Sequence, residues 1–179
     1  MKAEHALGDF FNQPVSAIFR ANIATCPLDT PVNQAALKMS RSNASAILVK
    51  NQSRRIDGIV TDADLRTKVL AKDLPPDSPV SEIMSSPVLT ISSDCQVFEA
   101  FLTMIDKDKR HLAVVGESGD ISGIITEKDL ITAQTRSSYL LLKSITSAEE
   151  LEQWRIRYLG SKGAMKDLMA RLKEIPKAD

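Results

Sequence analysis

The chain has 179 residues, is 43% hydrophobic, and carries 23 basic against 23 acidic side chains, with an isoelectric point near 6.7. That balance supplies no global field for nucleic acid or an anionic membrane, and no apolar run approaches the ~18 residues a transmembrane helix needs. The N-terminus Met1-Lys2-Ala3-Glu4-His5 carries an acid and lacks the apolar core of a signal peptide, so a cytoplasmic chain is expected. Cys26 and Cys95 lack metal-ligand spacing, and free, partly buried thiols are favoured over a disulfide.

Residues 1–13 read as a short N-terminal arm, with Phe10 and Phe11 expected to dock on the unit that follows. After an extended segment around Ala24-Thr25-Cys26, Thr30-Pro31 reads as a helix start, with Thr as N-cap and Pro at the first helical position. Val32, Ala35, Ala36 and Met39 then form one apolar stripe at i, i+3, i+4 and i+7. Ala46-Ile47-Leu48-Val49 is a short buried strand, Asn51-Gln52-Ser53 a turn, Ile56 to Thr61 a second strand, and Asp62 to Ala71 a helix stopped by Pro75-Pro76. The same order then returns. Ser93-Asp94 is expected to cap a helix with the stripe Val97, Ala100, Phe101 and Met104. Strands follow at Leu112 to Val115 and Ile121 to Thr126, and a helix from Glu127 to Gln134.

Gly58-Ile59-Val60-Thr61-Asp62-Ala63-Asp64-Leu65 and Gly123-Ile124-Ile125-Thr126-Glu127-Lys128-Asp129-Leu130 are copies at an offset of 65 residues. Pro14-Val15-Ser16-x-Ile18 matches Pro79-Val80-Ser81-x-Ile83 at the same offset. Each repeat is one module with an incomplete core. The expected fold is α/β (α+β): two βαββα repeats over residues 14–74 and 79–137, packed as an intramolecular pair, plus a helical segment at 148–179.

Thr61 and Thr126 each place a hydroxyl at a helix start, where unpaired amides and the positive dipole end suit phosphate. Asp64 and Asp129 lie in the same first turn and can accept from both hydroxyls of a ribose. The spacing Thr-x-x-Asp equally describes a capping box, in which the pair satisfies only its own helix. Taken alone, the residues favour the cap.

The duplicated G-h-h-T-x-x-D-L, the Val80-to-Met84 lead-in, the Val88-Leu89-Thr90 strand and Arg110-His111-Leu112-Ala113-Val114-Val115 resemble the CBS domain family in its tandem form, the Bateman module. The resemblance covers roughly residues 14–137 and implies a non-catalytic regulatory module. Its ligand would be an adenosine-containing molecule (AMP, ADP, ATP, S-adenosylmethionine or an NAD type) in the clefts between the repeats. On that footing Thr61 and Thr126 meet phosphate, Asp64 and Asp129 the ribose, and the backbone of Ala46-Ile47 and Leu112-Ala113 frames the adenine. Arg66 and Arg110 are further phosphate candidates, as readily read as solvated surface. Ala63 and Lys128 depart from the family's frequent Arg, and Ala113 from its frequent Pro. No cofactor is required, and a homodimer acting on a separate effector enzyme is implied.

Val97-Phe98-Glu99-Ala100 and Asp129 to Leu140 look like the CBS pair of bacterial signal-transduction nucleotidyltransferases. The remaining chain is too short for their catalytic domain and has no Gly-Ser-x-Gly signature accompanied by that domain's paired acidic residues, so a regulatory piece is expected. No phosphate-binding Walker loop, dinucleotide fingerprint, HExxH or nucleophile elbow is present, and catalysis has no support.

In the tail, Ser147-Ala148-Glu149-Glu150 starts a helix with the apolar stripe Leu151, Trp154, Tyr158 and Leu159, and a second helix is expected through Met165, Leu168, Met169 and Leu172. Arg155-x-x-Tyr158-Leu159-Gly160-x-Lys162-Gly163 is similar to the N-terminal helical hairpin of the phenylalanyl-tRNA synthetase α subunit, which contacts tRNA. From residue 149 onward seven basic residues face six acids, a weak excess for a phosphate-binding arm. A hairpin that packs on the module or on a second subunit is the plainer reading.

Overall fold

The computed structural model describes residues 8–144 and 146–159. Its elements run α1 (Gly8–Asn12), β1 (Thr25–Pro27), α2 (Val32–Arg41), β2 (Ala46–Lys50), β3 (Ile56–Thr61), α3 (Asp62–Asp64), β4 (Thr90–Ser92), α4 (Val97–Asp106), β5 (His111–Val115), β6 (Ile121–Thr126), α5 (Glu127–Ser144) and α6 (Ala148–Leu159). Two three-stranded sheets result, in the orders β1-β2-β3 and β4-β5-β6. In the first, β1 runs parallel to β2 and β2 antiparallel to β3, with Ala46 opposite Thr61 and Val49 opposite Gly58. Each repeat is βαββα, as its sequence implies.

The chain forms two compact units. One comprises Arg20–Ile91 with His111–Ile124; the other comprises the described residues of Met1–Phe19, Ser92–Arg110 and Ile125–Asp179. In the first, β2 explains its own composition. Residues alternate between the faces of a strand, so Ile47 and Val49 join Val32, Ala35 and Met39 of α2, together with Val60 and Val80. Ala46 and Leu48, on the other face, pack with Ile59 and Ile124, flanked by Ile23, Val88 and Ile121. With both faces covered, four apolar residues in a row are required rather than an alternating pattern. Gly58 opens its motif because a side chain there would fall on the sulfur of Met84.

The lead-in of the second repeat docks on the first. Val80 N–H donates to Thr30 O (2.9 Å), Ser81 N–H to Leu28 O (3.2 Å), and Val32 N–H to Ser78 O (2.9 Å). In the other unit, Val15 N–H donates to Cys95 O (2.8 Å) and Ser16 N–H to Ser93 O (2.9 Å). The two lead-ins are thus exchanged, and the repeat in sequence is not the unit of packing.

Five sequence expectations need correction. Phe11 does not dock on the first repeat: its ring meets Phe98 edge-on (6.0 Å between centroids, 88°) and lies 6.3 Å from Phe101, both on α4. The physical reason is the partners available, since the positions matching Phe98 and Phe101 in α2 are Asn33 and Ala36. The N-cap of α2 is Pro31 rather than Thr30, and that of α4 is Gln96 rather than Ser93 or Asp94; neither cap makes a side-chain hydrogen bond. The segment from Asp62 to Lys72 is not one regular helix but α3, a π turn (Leu65–Val69) and a 3-10 turn (Leu70–Lys72). Finally, α5 extends well past Gln134.

In the tail, α6 begins as expected, with Glu150 N–H donating to Ser147 Oγ (3.1 Å) and Ser147 N–H to the Glu150 carboxylate (3.2 Å). The side chains of Trp154, Tyr158 and Leu159, the Gly160–Gly163 turn and the second tail helix lie outside the described residues. Both cysteines are free thiols, and burial pushes Cys26 above the ordinary thiol range. No helix among the described residues is long and apolar enough to cross a membrane.

Candidate functional site

Both Thr-x-x-Asp pairs sit where a strand turns into a helix. Thr61 caps α3 in an extended conformation; its hydroxyl donates to Asp64 Oδ2 (2.7 Å) and accepts from Asp64 N–H (3.3 Å), while Thr61 N–H donates to the same Oδ2 (2.9 Å). Thr126 and Asp129 reproduce this at the start of α5, at 2.6, 3.2 and 3.0 Å. Each pair is therefore a reciprocal capping box, the plainer of the two readings the residues allow. Its consequence for a ligand is rigidity: the hydroxyl and carboxylate are held in place at a helix start without any ligand present.

Both aspartates are buried as residues, Asp64 9% and Asp129 7% exposed. Burial alone would raise the Asp64 carboxyl, but the Lys68 ammonium and the hydrogen bonds from Thr61 outweigh it and hold it below the usual range. Lys68 Nζ lies 2.8 Å from Asp64 Oδ1 and also donates to Ile83 O (2.6 Å). Lys68 has no lysine counterpart in the second copy, where the matching position is Ala133.

The remaining candidates divide between the units. In the first, Ala46 pairs with Thr61 across the sheet, Asp62 N–H donates to Ser45 O (3.1 Å), and Ile47, Leu112 and Ala113 are fully buried. Ala113 N–H is already committed to Leu89 O (2.9 Å), so this amide is not available to a ligand. Arg66 is exposed. In the second unit Glu127 N–H donates to Arg110 O (3.1 Å), and the exposed Arg110 guanidinium sits 3.6 Å from the Glu127 carboxylate. Sequence reasoning missed Lys68, whose i+4 spacing from Asp64 was a usable signal, and the contact of Ser45 Oγ with His111 Nε2 (2.9 Å), for which no signal existed. No cluster of metal-binding side chains occurs among the described residues.

The CBS domain family matches residues 15–71 and 80–136, and the N-terminal domain of class II aminoacyl-tRNA synthetases matches residues 146–179. The uncharacterized protein MK0525 of Methanopyrus kandleri is 33% identical over 122 residues, which are 67% of this chain and 62% of that one. The Arabidopsis thaliana CBS domain-containing protein CBSCBSPB3 is 35% identical over 102 residues, 56% of this chain but only 18% of its own. Among solved structures, the CBS domain protein PAE2072 of Pyrobaculum aerophilum, determined as a complex with AMP, superposes with a TM-score of 0.63 at 21% identity, covering 74% of this chain and 99% of that one. The CBS domain protein TA0289 of Thermoplasma acidophilum gives 0.62 at 22%, covering 74% and 77%. The chain belongs to the CBS domain family, as a tandem pair. Such pairs are regulatory modules, and no catalytic family is indicated.

Proposed function

We propose that this pair senses an adenosine nucleotide of the AMP, ADP, ATP or S-adenosylmethionine type, bound at its strand-to-helix junctions. The observation that carries the reading is the duplicated, preorganised Thr–Asp pair, Thr61 with Asp64 and Thr126 with Asp129, each setting a hydroxyl and a carboxylate side by side at a helix start. On binding, the threonine hydroxyl would turn from its carboxylate to a phosphate oxygen and leave that carboxylate to accept from the ribose diol, with Ala46-Ile47 and Leu112-Ala113 beside the base and Arg66 or Arg110 adding charge at the phosphate. The AMP complex of PAE2072 supports this choice of ligand class. Regulation would follow from a nucleotide-dependent shift between conformations, passed on through a homodimer to a separate effector enzyme.

A thermal-shift panel with AMP, ADP, ATP, S-adenosylmethionine and NAD tests the reading. A ligand at about 100 times its dissociation constant should stabilise the fold by roughly 2.7 kcal/mol, a shift of several degrees. That shift should vanish in Asp64→Ala or Asp129→Ala, according to the junction used. No shift with any of the five would leave the pairs as caps and the module as a structural dimerisation element.

A second reading concerns the tail. Its match to the synthetase N-terminal domain favours an RNA-associated role for residues 146–179. Electrophoretic mobility shifts with bulk tRNA should then show salt-sensitive binding that disappears when residues 148–179 are deleted; tRNA binding that survives the deletion would remove this role from the tail.

A further inference from the structure

At the hairpin ends of the sheets, within the first unit, lies an open cavity of about 790 Å³. Three cations line it, Lys50, Arg54 and Arg55, against one carboxylate, Asp120. Among the described residues none of those three side chains makes an ion pair or a hydrogen bond. Exposed arginines often have no partner, but here the turn that carries them is firmly built. Arg54 N–H donates to Asn51 O (2.9 Å), Asn51 N–H to Arg55 O (2.9 Å), and Arg55 N–H to Asn51 Oδ1 (3.1 Å).

The two repeats differ at this turn. Arg54 holds a left-handed backbone (φ +61), and the matching residue in the other hairpin, Gly119, does too (φ +82). Glycine accepts that conformation freely, whereas a residue with a side chain is strained by about 1–2 kcal/mol. Repeat one thus carries arginine where the fold asks for glycine. The positions matching Lys50 and Arg55 are Val115 and Asp120, so the positive charge is confined to one hairpin and owes nothing to the duplicated architecture.

From these observations we infer a second ligand site, distinct from the Thr–Asp junctions, that takes a compact multiply phosphorylated small molecule between Lys50, Arg54 and Arg55. The lining hydroxyls of Thr25 and Thr90 can share the phosphate oxygens, and the cavity offers no aromatic ring on which a nucleobase could stack. Ligand charge, rather than a base, is what it recognises. A nucleic-acid strand fits less well, because it needs an extended basic stripe, whereas this chain has zero formal charge and these three cations line a concave cavity.

The test uses the full chain and inorganic tripolyphosphate in isothermal titration at low and moderate salt. Wild type should bind saturably, more weakly as salt rises. Arg54→Gly with Arg55→Gln keeps the turn conformation and should weaken binding at least about tenfold, with the circular dichroism unchanged and the melting temperature not lowered. Asp129→Asn, directed at the other site, should leave tripolyphosphate affinity within about twofold. No binding by wild type, equal affinity in the double variant, loss in Asp129→Asn, or tighter binding of a 20-nucleotide RNA than of tripolyphosphate would each overturn the inference.

Discussion

Phe98→Ala should be among the most damaging single substitutions in this protein, lowering its unfolding free energy by about 3–5 kcal/mol and its melting temperature by on the order of 10 °C. Phe98 is only 1% exposed and heads the largest fully buried side chains. It lies on the buried face of α4 with Val97, Ala100 and Met104, and its ring takes the edge of Phe11 from α1. Truncation removes the transfer free energy of the ring and leaves a cavity that a packed helix cannot collapse into. It also releases the aromatic contact that holds α1. Phe98→Leu, which keeps most of the volume, should cost much less. In urea titrations a double-mutant cycle with Phe11→Ala should show about 0.5–1.5 kcal/mol of coupling; a cost under 1 kcal/mol for Phe98→Ala would mean that α1 and α4 pack differently.

The second large effect concerns Asp64 and has a defined pH dependence. Asp64→Asn should destabilise the protein by about 1–2 kcal/mol near neutral pH, through a weakened capping box and a lost partner for Lys68. Because the folded-state pKa of Asp64 lies below its unfolded value, the native carboxylate contributes fully above the ordinary carboxylate range, near pH 4. That contribution is lost as pH falls through the lower, folded-state value. The stability gap between wild type and Asp64→Asn should therefore be constant from about pH 6 to 8 and shrink below about pH 4. A gap that widened on acidification would mean the carboxyl is protonated in the native state.

Much of this architecture was legible in the sequence because both of its periodicities are strong. The 65-residue offset identified the repeats, and alternation against helical spacing separated β2 from α2. What stayed hidden depends on contacts distant in sequence. Nothing local to Val15 or Val80 says that each lead-in docks on the opposite repeat, or that Phe11 prefers two phenylalanines some 90 residues away to the nearer Ala36. The helix caps were misplaced by one to three residues, because Thr30, Ser93 and Asp94 are good capping residues in turns where the chain did not need one. For the candidate site, the Thr–Asp contacts could be foreseen from a three-residue spacing. The cluster of Lys50, Arg54 and Arg55 could not, since an unremarkable polar turn acquires meaning only when it faces a cavity and replaces a glycine.

The central claim, a nucleotide held by the Thr–Asp junctions, is tested most directly by isothermal titration of AMP, then ATP, into wild type and an Asp64→Asn/Asp129→Asn double variant. Asparagine keeps an acceptor for the threonine amide but removes the charge and one of the two oxygens a ribose diol would use. Saturable binding in wild type, weakened at least about tenfold in a variant that remains folded, is the predicted result. Equal affinity in the two proteins would contradict the account.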